Sequence, residues 1–131
     1  MSYVCAVNKD DQIKAWRPSI TSIRNTTQTT EIELFQNNIL RPILKLQHTT
    51  ITTLFQHGIS KRKENLKQMT QEEQIAFVAQ VFQKDITLRN TILGLVLGLL
   101  TEDELSFYFI HKSSVNKRIS QMAQQRILSS F

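Results

Sequence analysis

Three histidines, His48, His57 and His111, and one cysteine, Cys5, are the residues best suited to bind a metal or act as a nucleophile. Metal sites on helices pair their ligands three or four residues apart, because that spacing brings two side chains to one face. His48 and His57 are nine residues apart and point to opposite sides of a continuous helix. The nearest carboxylate at a helical spacing from His111 is Glu104, seven residues back. The pattern predicts no metal site and no cofactor.

Cys5 has no histidine near it in the sequence. The chain also lacks a Gly-x-Ser-x-Gly elbow, a phosphate loop and a dinucleotide fingerprint, so the sequence names no catalytic residue and leaves enzymatic activity uncertain. A single cysteine excludes a disulfide within the chain. The first seven residues lack the basic region and long apolar run of a signal peptide, which predicts a cytoplasmic protein with Cys5 reduced.

Five polar residues would form a ligand pocket if the first and third predicted helices packed together. Asp85 and Arg89 stand four residues apart, with Asn90 beside them, and Arg41 and Lys45 have the same spacing on the first helix. This spacing places the members of each pair on one face of a helix. Surface ion pairs worth roughly a few tenths of a kcal/mol show the same spacing, so the pocket and the solvated pairs both stay open.

Two clusters of basic residues distribute the net charge of +5 unevenly along the chain. Such clusters bind the phosphate backbone of a nucleic acid when they share one surface, and aromatic or amide side chains reach the bases. No aromatic residue is interleaved with either cluster, and the pattern is more typical of a solvated loop or helix end. The clusters are Lys61, Arg62, Lys63 and Lys67, and then Lys117 and Arg118.

Gly94 and Gly98 stand four residues apart within an apolar stretch, residues 86–100. In a membrane helix this motif marks a close helix–helix contact. As a helix the stretch is about 22 Å long, against about 30 Å for a hydrocarbon core, and Arg89 and Asn90 interrupt it. We therefore predict no membrane span. The glycines indicate close helix packing, either inside the bundle, which is the favoured interpretation, or at a dimer seam.

The elements that would position these residues are predicted to be helices, since the chain has only 3 Gly and 2 Pro. Residues 32–59 carry apolar side chains at spacings of three and four, which predicts a long first helix. Pro42 removes a backbone donor inside it, and we expect a kink there. Residues 1–29 show no helical period and are predicted to be a flexible arm, partly docked through Trp16 and Ile20.

Capping signals place the later helices. Thr70 and Thr101 are each followed three residues later by glutamate, which is the pattern of a capping box, and Asp85 is suited to cap the helix after it. The stretch 86–100 is apolar nearly all round and is predicted to be the central, most buried helix. In all, the sequence predicts an all-α fold, with about five helices in a single up-and-down bundle over residues 30–131.

Three segments together resemble a known family. They are residues 35–47 (FQNNILRPILKLQ), residues 61–63 (KRK) and residues 84–90 (KDITLRN) with the two glycines that follow. They are similar to a family of short, uncharacterised bacterial proteins that are sometimes labelled glyoxalase. The resemblance implies no catalytic residues, and glyoxalases resemble one another in strand-rich folds with His and Glu ligands that this sequence does not offer.

These observations lead to one functional hypothesis with two rivals. The apolar stripe on residues 32–59 is wider than one side of a small bundle needs, which favours a helical protein–protein interaction module that forms a homodimer. The first rival is a small nucleic-acid-associated protein that uses the basic clusters. The second is a ligand-binding or enzymatic bundle with its site near Arg41, Asp85 and Arg89.

Overall fold

The computed structural model describes residues 8–18, 30–60, 62 and 65–131. Within these residues the backbone is helical and no strand occurs, so the predicted all-α class is confirmed there. The helices are α1 (Lys9–Trp16), α2 (Glu31–Phe35), α3 (Arg41–Leu46), α4 (His48–Ile59), α5 (Gln71–Lys84), α6 (Ile86–Leu97), α7 (Glu102–Ile110) and α8 (Lys112–Leu128). A π-helical segment, Gln36–Leu40, joins α2 to α3, and a short 3-10 turn, Leu66–Gln68, precedes α5.

The predicted kink at Pro42 is wrong, because the helix meets the proline in another way. The backbone N–H of Arg41 donates to the carbonyl of Gln36, five residues back, which closes a π-helical turn just before the proline. Pro42 follows this turn directly, so the residue that lacks a backbone donor lies where the hydrogen-bonding pattern changes from π-helical to α-helical. The helical path is interrupted at Gln47 instead, where φ is −92° and ψ is 6°.

The prediction of about five helices is also wrong, and two local features account for the difference. α2, the π-helical segment and α3 run on without interruption, so they count as one helix. The turn at Gln47 separates α4 from it, and α1 is a helix that the sequence pattern did not indicate. The described residues therefore form seven separate helices.

The first helix, α1, lies within the stretch that was predicted to be an irregular arm, and this expectation is wrong for residues 9–16. The Asn8 side chain caps α1 by accepting from the N–H of Asp10. Ile13 is the buried residue of α1, whereas Trp16, the predicted docking residue, is 57% exposed. Ile20, the other predicted contact, lies outside the described residues.

The predicted caps of the later helices are confirmed. Thr70 and Thr101 each accept from the N–H of the glutamate three residues on, and each glutamate side chain accepts from the threonine N–H in return. Asp85 caps α6 by accepting from the N–H of Leu88 at 3.0 Å. The hydrogen bond from the Thr70 backbone N–H also lowers the pKa of Glu73 below its ordinary value.

Replacing either capping threonine by alanine should destabilise the protein by about 1 kcal/mol and lower Tm by about 3–5 °C, because one backbone donor loses its partner. Thermal unfolding of Thr70→Ala and Thr101→Ala, followed by circular dichroism, measures this. Thr53→Ala is a matched control, since Thr53 is exposed inside α4 and alanine is the better helix former. An equal loss in all three variants would contradict the capping role.

The core surrounds α8, which contacts α3, α4, α5, α6, α7 and the π-helical segment. Its buried residues follow one another every four positions: Val115, Ile119, Ala123 and Ile127. The prediction that residues 86–100 form the central helix is wrong. Leu88, Ile92 and Val96 of α6 are buried, but its opposite side is exposed. α6 therefore lies at the periphery of the bundle.

The wide apolar stripe on residues 32–59 is largely consumed inside the fold. Since the chain turns at Gln47, the stripe's two halves pack into the same core from different directions. Leu46 is the strongly exposed member, at 43%. The stripe residues that are buried are Phe35, Leu40, Ile43, Leu44, Ile51 and Phe55. The width of the stripe consequently no longer argues for a partner.

Candidate functional sites

The outer side of α6 is a continuous exposed strip of small, uncharged residues. Thr87, Thr91, Gly94 and Gly98 are all exposed, and they lie on the side of the helix opposite to its buried leucine, isoleucine and valine. A spacing of three or four residues aligns them along the helix axis. We call these four residues the α6 strip. The sequence spacing alone places these four residues on one face of the helix. That this face is exposed follows only from the fold.

The two glycines of the α6 strip meet no other helix among the described residues. A Cβ atom built on Gly94 would have no atom within 4 Å, and one built on Gly98 would lie 3.2 Å from the carbonyl oxygen of Gly94. The favoured prediction, close packing of Gly94 and Gly98 inside the bundle, is therefore not what the structure shows. The alternative, a seam with a second chain, stays a prediction.

The five residues of the predicted polar pocket do not come together. Arg89 and Asn90 line a cavity of about 220 Å³ between α5, α6 and α8, and there Arg89 donates to the carbonyl of Phe82 at 3.3 Å. Arg41 lines a different cavity, between α3 and α8. Asp85 is occupied as the cap of α6, and Lys45 is exposed on α3. The helical spacing concerned residues within one helix, and it carried no information on which helices meet.

The predicted basic residues separate into two regions as well. Arg62 and Lys67 line an open cleft of about 440 Å³ at the C-terminal end of α8, beside Phe131. Arg62 also lies 5.8 Å from the ring centroid of Phe77, a cation–π contact that the sequence did not indicate. Lys117 and Arg118 lie on α8 about 20 Å further toward its start, at 1.5 Å per residue. Lys61 and Lys63 lie outside the described residues.

None of the histidines takes part in a recognisable metal site. Across the described ranges, no three His, Cys, Asp or Glu side chains are grouped so that they could hold a metal ion. The ring of His111 packs on Phe107 with the centroids 4.4 Å apart, and Phe107 in turn stacks on Phe35. The Nδ1 atom of His48 is buried without a hydrogen-bond partner. Of the helices described, none combines the length and the apolar character that crossing a bilayer requires.

A half-buried ion pair ties α1 to the start of α7, and sequence reasoning missed it. Arg17 donates from Nη1 to Oε2 of Glu104 at 2.8 Å and from Nη2 to Oε1, so the pair is bidentate. Nη2 also donates to the carbonyl of Leu99 at 2.6 Å. The two side chains are 11% and 14% exposed. The two residues are 87 positions apart in the sequence, so no local pattern could reveal the pair.

The environment of Glu104 favours its charged form. Burial raises the pKa of Glu104, but hydrogen bonds from Arg17 and from the Thr101 backbone, with the attraction of the guanidinium charge, outweigh burial and hold the pKa below its ordinary value. Glu104 therefore serves both as the partner of a capping box and as the anchor of α1. We assign it a structural role, since its carboxylate is fully engaged.

A second arrangement that the sequence did not reveal is the cleft between α3 and α8. It has a volume of about 280 Å³, and it opens to solvent. Arg41 comes from α3 and Arg126 from α8, so a cation stands on each wall, with the buried Leu44 below them. Two arginines 85 positions apart give no spacing signal in a sequence. Their proximity follows only from the packing of α3 against α8.

In comparisons with known proteins, no family model matches the chain, and neither a curated protein nor a solved structure matches it significantly. The resemblance to short bacterial proteins described above stays a prediction. Functional conclusions must accordingly come from the geometry of this chain.

Proposed function

We propose that this protein is a helical interaction module that forms a homodimer through the α6 strip. The observation that supports the proposal most directly is the open space at Gly94, where a Cβ would meet no atom within 4 Å. Glycine in an exposed helix interior costs about 1 kcal/mol relative to alanine. No described helix packs closely against Gly94, so nothing described in one chain compensates for this loss of stability. A second helix that packed closely across Gly94 and Gly98 would compensate for it.

The charge distribution on α6 supports a second copy as the partner. The protein carries a net charge of +5, so two copies repel each other unless they meet on a neutral face. The α6 strip contains no charged residue, and Arg89, the one charged residue of α6, is turned toward the carbonyl of Phe82. Two copies of α6 can therefore approach each other across a two-fold axis without opposing like charges.

The size of the strip indicates a weak dimer. α6 has 12 residues and is about 18 Å long, so it supplies only part of the area of about 800 Å² per partner that stable interfaces bury. Ile86, 57% exposed, extends the apolar surface at one end of the helix. We expect dissociation in the micromolar range and little dependence on salt, because the interface is neutral.

Sedimentation of the wild type over a range of micromolar concentrations, at low and high salt, tests the proposal. Gly94→Leu should shift the protein to a monomer and weaken self-association at least about tenfold, because a bulky side chain blocks close approach. The same variant should fold well and gain up to about 1 kcal/mol of stability, since its Cβ enters open space and leucine is the better helix former.

Gly58→Leu is the matched control. Gly58 is also an exposed helical glycine, and a Cβ there would meet only a methyl group of Leu88, at 4.0 Å. This variant should dimerise like the wild type. A wild type that sediments as a 15.2 kDa monomer under all conditions, or a Gly94→Leu variant that remains dimeric, would overturn the proposal.

A further inference from the structure

The α3–α8 cleft is one end of a longer basic trough. The side chain of Arg118 donates to Gln36 in the π-helical segment, and Arg41 and Leu44 share a cleft with Met122 and Arg126. Gln36 lies beside Arg118, and Arg41 and Leu44 lie beside the later residues Met122 and Arg126. The segment that ends in α3 therefore runs parallel to α8. A second cavity, lined by Ser114, Lys117, Arg118 and Gln121, continues the first cleft toward the start of α8.

The exposed side of α8 forms one wall of this trough. Ser114, Arg118, Gln121, Gln125 and Ser129 recur at spacings of three and four residues, which places them on one face. From Ser114 to Ser129 that face is about 22 Å long, at 1.5 Å per residue. The opposite face of α8 is occupied by the protein core. The trough thus has walls from α3 and α8 at the cleft of Arg41 and Arg126, whereas nearer the start of α8 its described lining comes from α8.

The trough is positively charged along its length. Lys117, Arg118 and Arg126 lie on α8, and Arg41 and Lys45 lie on α3. Neither α8, α3 nor the π-helical segment contains an acidic residue; the nearest acid along these helices is Glu33, one turn before Gln36. In the part of the chain that the structure describes, the only ion pair is that of Arg17 with Glu104. The trough cations therefore lack a described carboxylate partner.

We infer that this trough binds the sugar–phosphate backbone of a nucleic-acid duplex without reading its sequence. Arginine, lysine, glutamine and serine are side chains that contact phosphate and sugar, and apart from Leu44 and Met122 they line the trough. Among the described residues no aromatic side chain lines either cavity, so these walls offer unpaired bases nothing on which to stack. An amphipathic helix that inserts into an anionic membrane needs an exposed apolar face, and the apolar face of α8 is buried in the core.

The inference is tested by the fluorescence anisotropy of a labelled duplex of random sequence, titrated with the full chain at several salt concentrations. If about three phosphates are contacted, log K should fall with log salt with a slope near −2.7, which is a loss of about 40-fold for a fourfold rise in salt. A single strand of equal length, vesicles containing anionic lipid, and polyglutamate serve as competing polyanions.

Arg41→Gln combined with Arg126→Gln should weaken duplex binding at least about tenfold at low salt. It should also make the slope of log K against log salt less negative by nearly two. Lys9→Gln combined with Lys14→Gln is the matched control. It removes the same charge from exposed positions of α1 and should change binding less than about twofold. Arg41→Lys combined with Arg126→Lys keeps both charges and should retain the wild-type slope, which separates lost charge from damaged folding.

Three outcomes would overturn the inference. They are no salt-dependent duplex binding, an equal loss of binding in the trough variant and the α1 control, and tighter binding to the vesicles or polyglutamate than to the duplex. Gly94→Leu, which tests the dimer, leaves the trough untouched. Duplex binding by that variant therefore distinguishes failure of this inference from failure of the proposed dimer.

Discussion

Replacing Ile119 by alanine should destabilise the protein by about 2–5 kcal/mol, the largest effect that we expect from any single substitution. Ile119 is only 2% exposed and lies at the middle of α8, the helix that packs against most of the others. The substitution removes buried methyl and methylene groups and leaves a cavity that several helices would have to close together. Chemical denaturation of the purified variant measures the change in the free energy of unfolding.

Ile86→Ala provides the same chemical change in α6, where Ile86 is 57% exposed. Because the Ile86 side chain is largely exposed, the substitution removes little buried apolar area, and alanine is the better helix former. We therefore expect the free energy of unfolding to change by no more than about 0.5 kcal/mol. The pair distinguishes a core centred on α8 from one centred on α6. A larger loss for Ile86→Ala than for Ile119→Ala would contradict the packing described above.

Arg17→Gln should destabilise the protein by about 2 kcal/mol and lower Tm by about 6–10 °C. The substitution leaves the half-buried Glu104 carboxylate without its bidentate partner and frees the carbonyl of Leu99. The estimate lies below that for a fully buried pair, because both side chains retain contact with solvent. Lys14→Gln, which neutralises an exposed cation of the same helix, should change stability by less than about 0.5 kcal/mol.

The loss in Arg17→Gln should also depend on pH. The folded pKa of Glu104 is lower than the ordinary value of 4.5, so its ionised form contributes stability at pH values above 4.5. That contribution is lost as the pH falls through the folded pKa, since the carboxylate is then protonated in both states. Denaturation at pH 7 and again near pH 3 should show the difference between wild type and variant narrowing at the acidic end. A constant difference would assign the effect to packing rather than to charge.

Helix starts could be predicted from the sequence because capping is local. Thr70, Asp85 and Thr101 each bond to a backbone N–H three residues away, so all the information lies within one helical turn. The buried side of α5 was harder to place. The spacing indicates a face with Ile75, Val78, Ala79 and Phe82, of which Val78 and Phe82 are buried but Ile75 and Ala79 are exposed. The buried side is shifted toward Phe77 and Val81, because those side chains remove more apolar area from water.

The course of the first helix shows a different limit. The spacing of apolar residues is nearly the same in α- and π-helical turns over a few residues, so the sequence did not show that a π-helical turn accommodates Pro42. The turn at Gln47 was equally hidden, since the stripe of apolar residues continues on both sides of it. Periodicity records which face is apolar, whereas the path of the backbone depends on what each half packs against.

Arrangements between distant helices could not be predicted at all. Arg17 meets Glu104, and Arg41 shares a cleft with Arg126, across more than eighty residues in each case. Composition misled at α6 for the same reason. The segment is apolar nearly all round, so its sequence does not show which side is covered. Its neighbours α4, α5 and α8 cover one side and leave the other exposed.

The bond between Arg17 and Glu104 has a consequence for the order in which the protein assembles. At about 5–20 residues per second, the ribosome needs about 4–17 s to add the 87 residues that separate the two partners. During that interval α1 has emerged but has neither the carboxylate nor the carbonyl of Leu99 to hold it, and a helix of 8 residues is marginal in isolation. α1 is therefore translated before the residues that hold it, and it docks only after the start of α7 has left the ribosome.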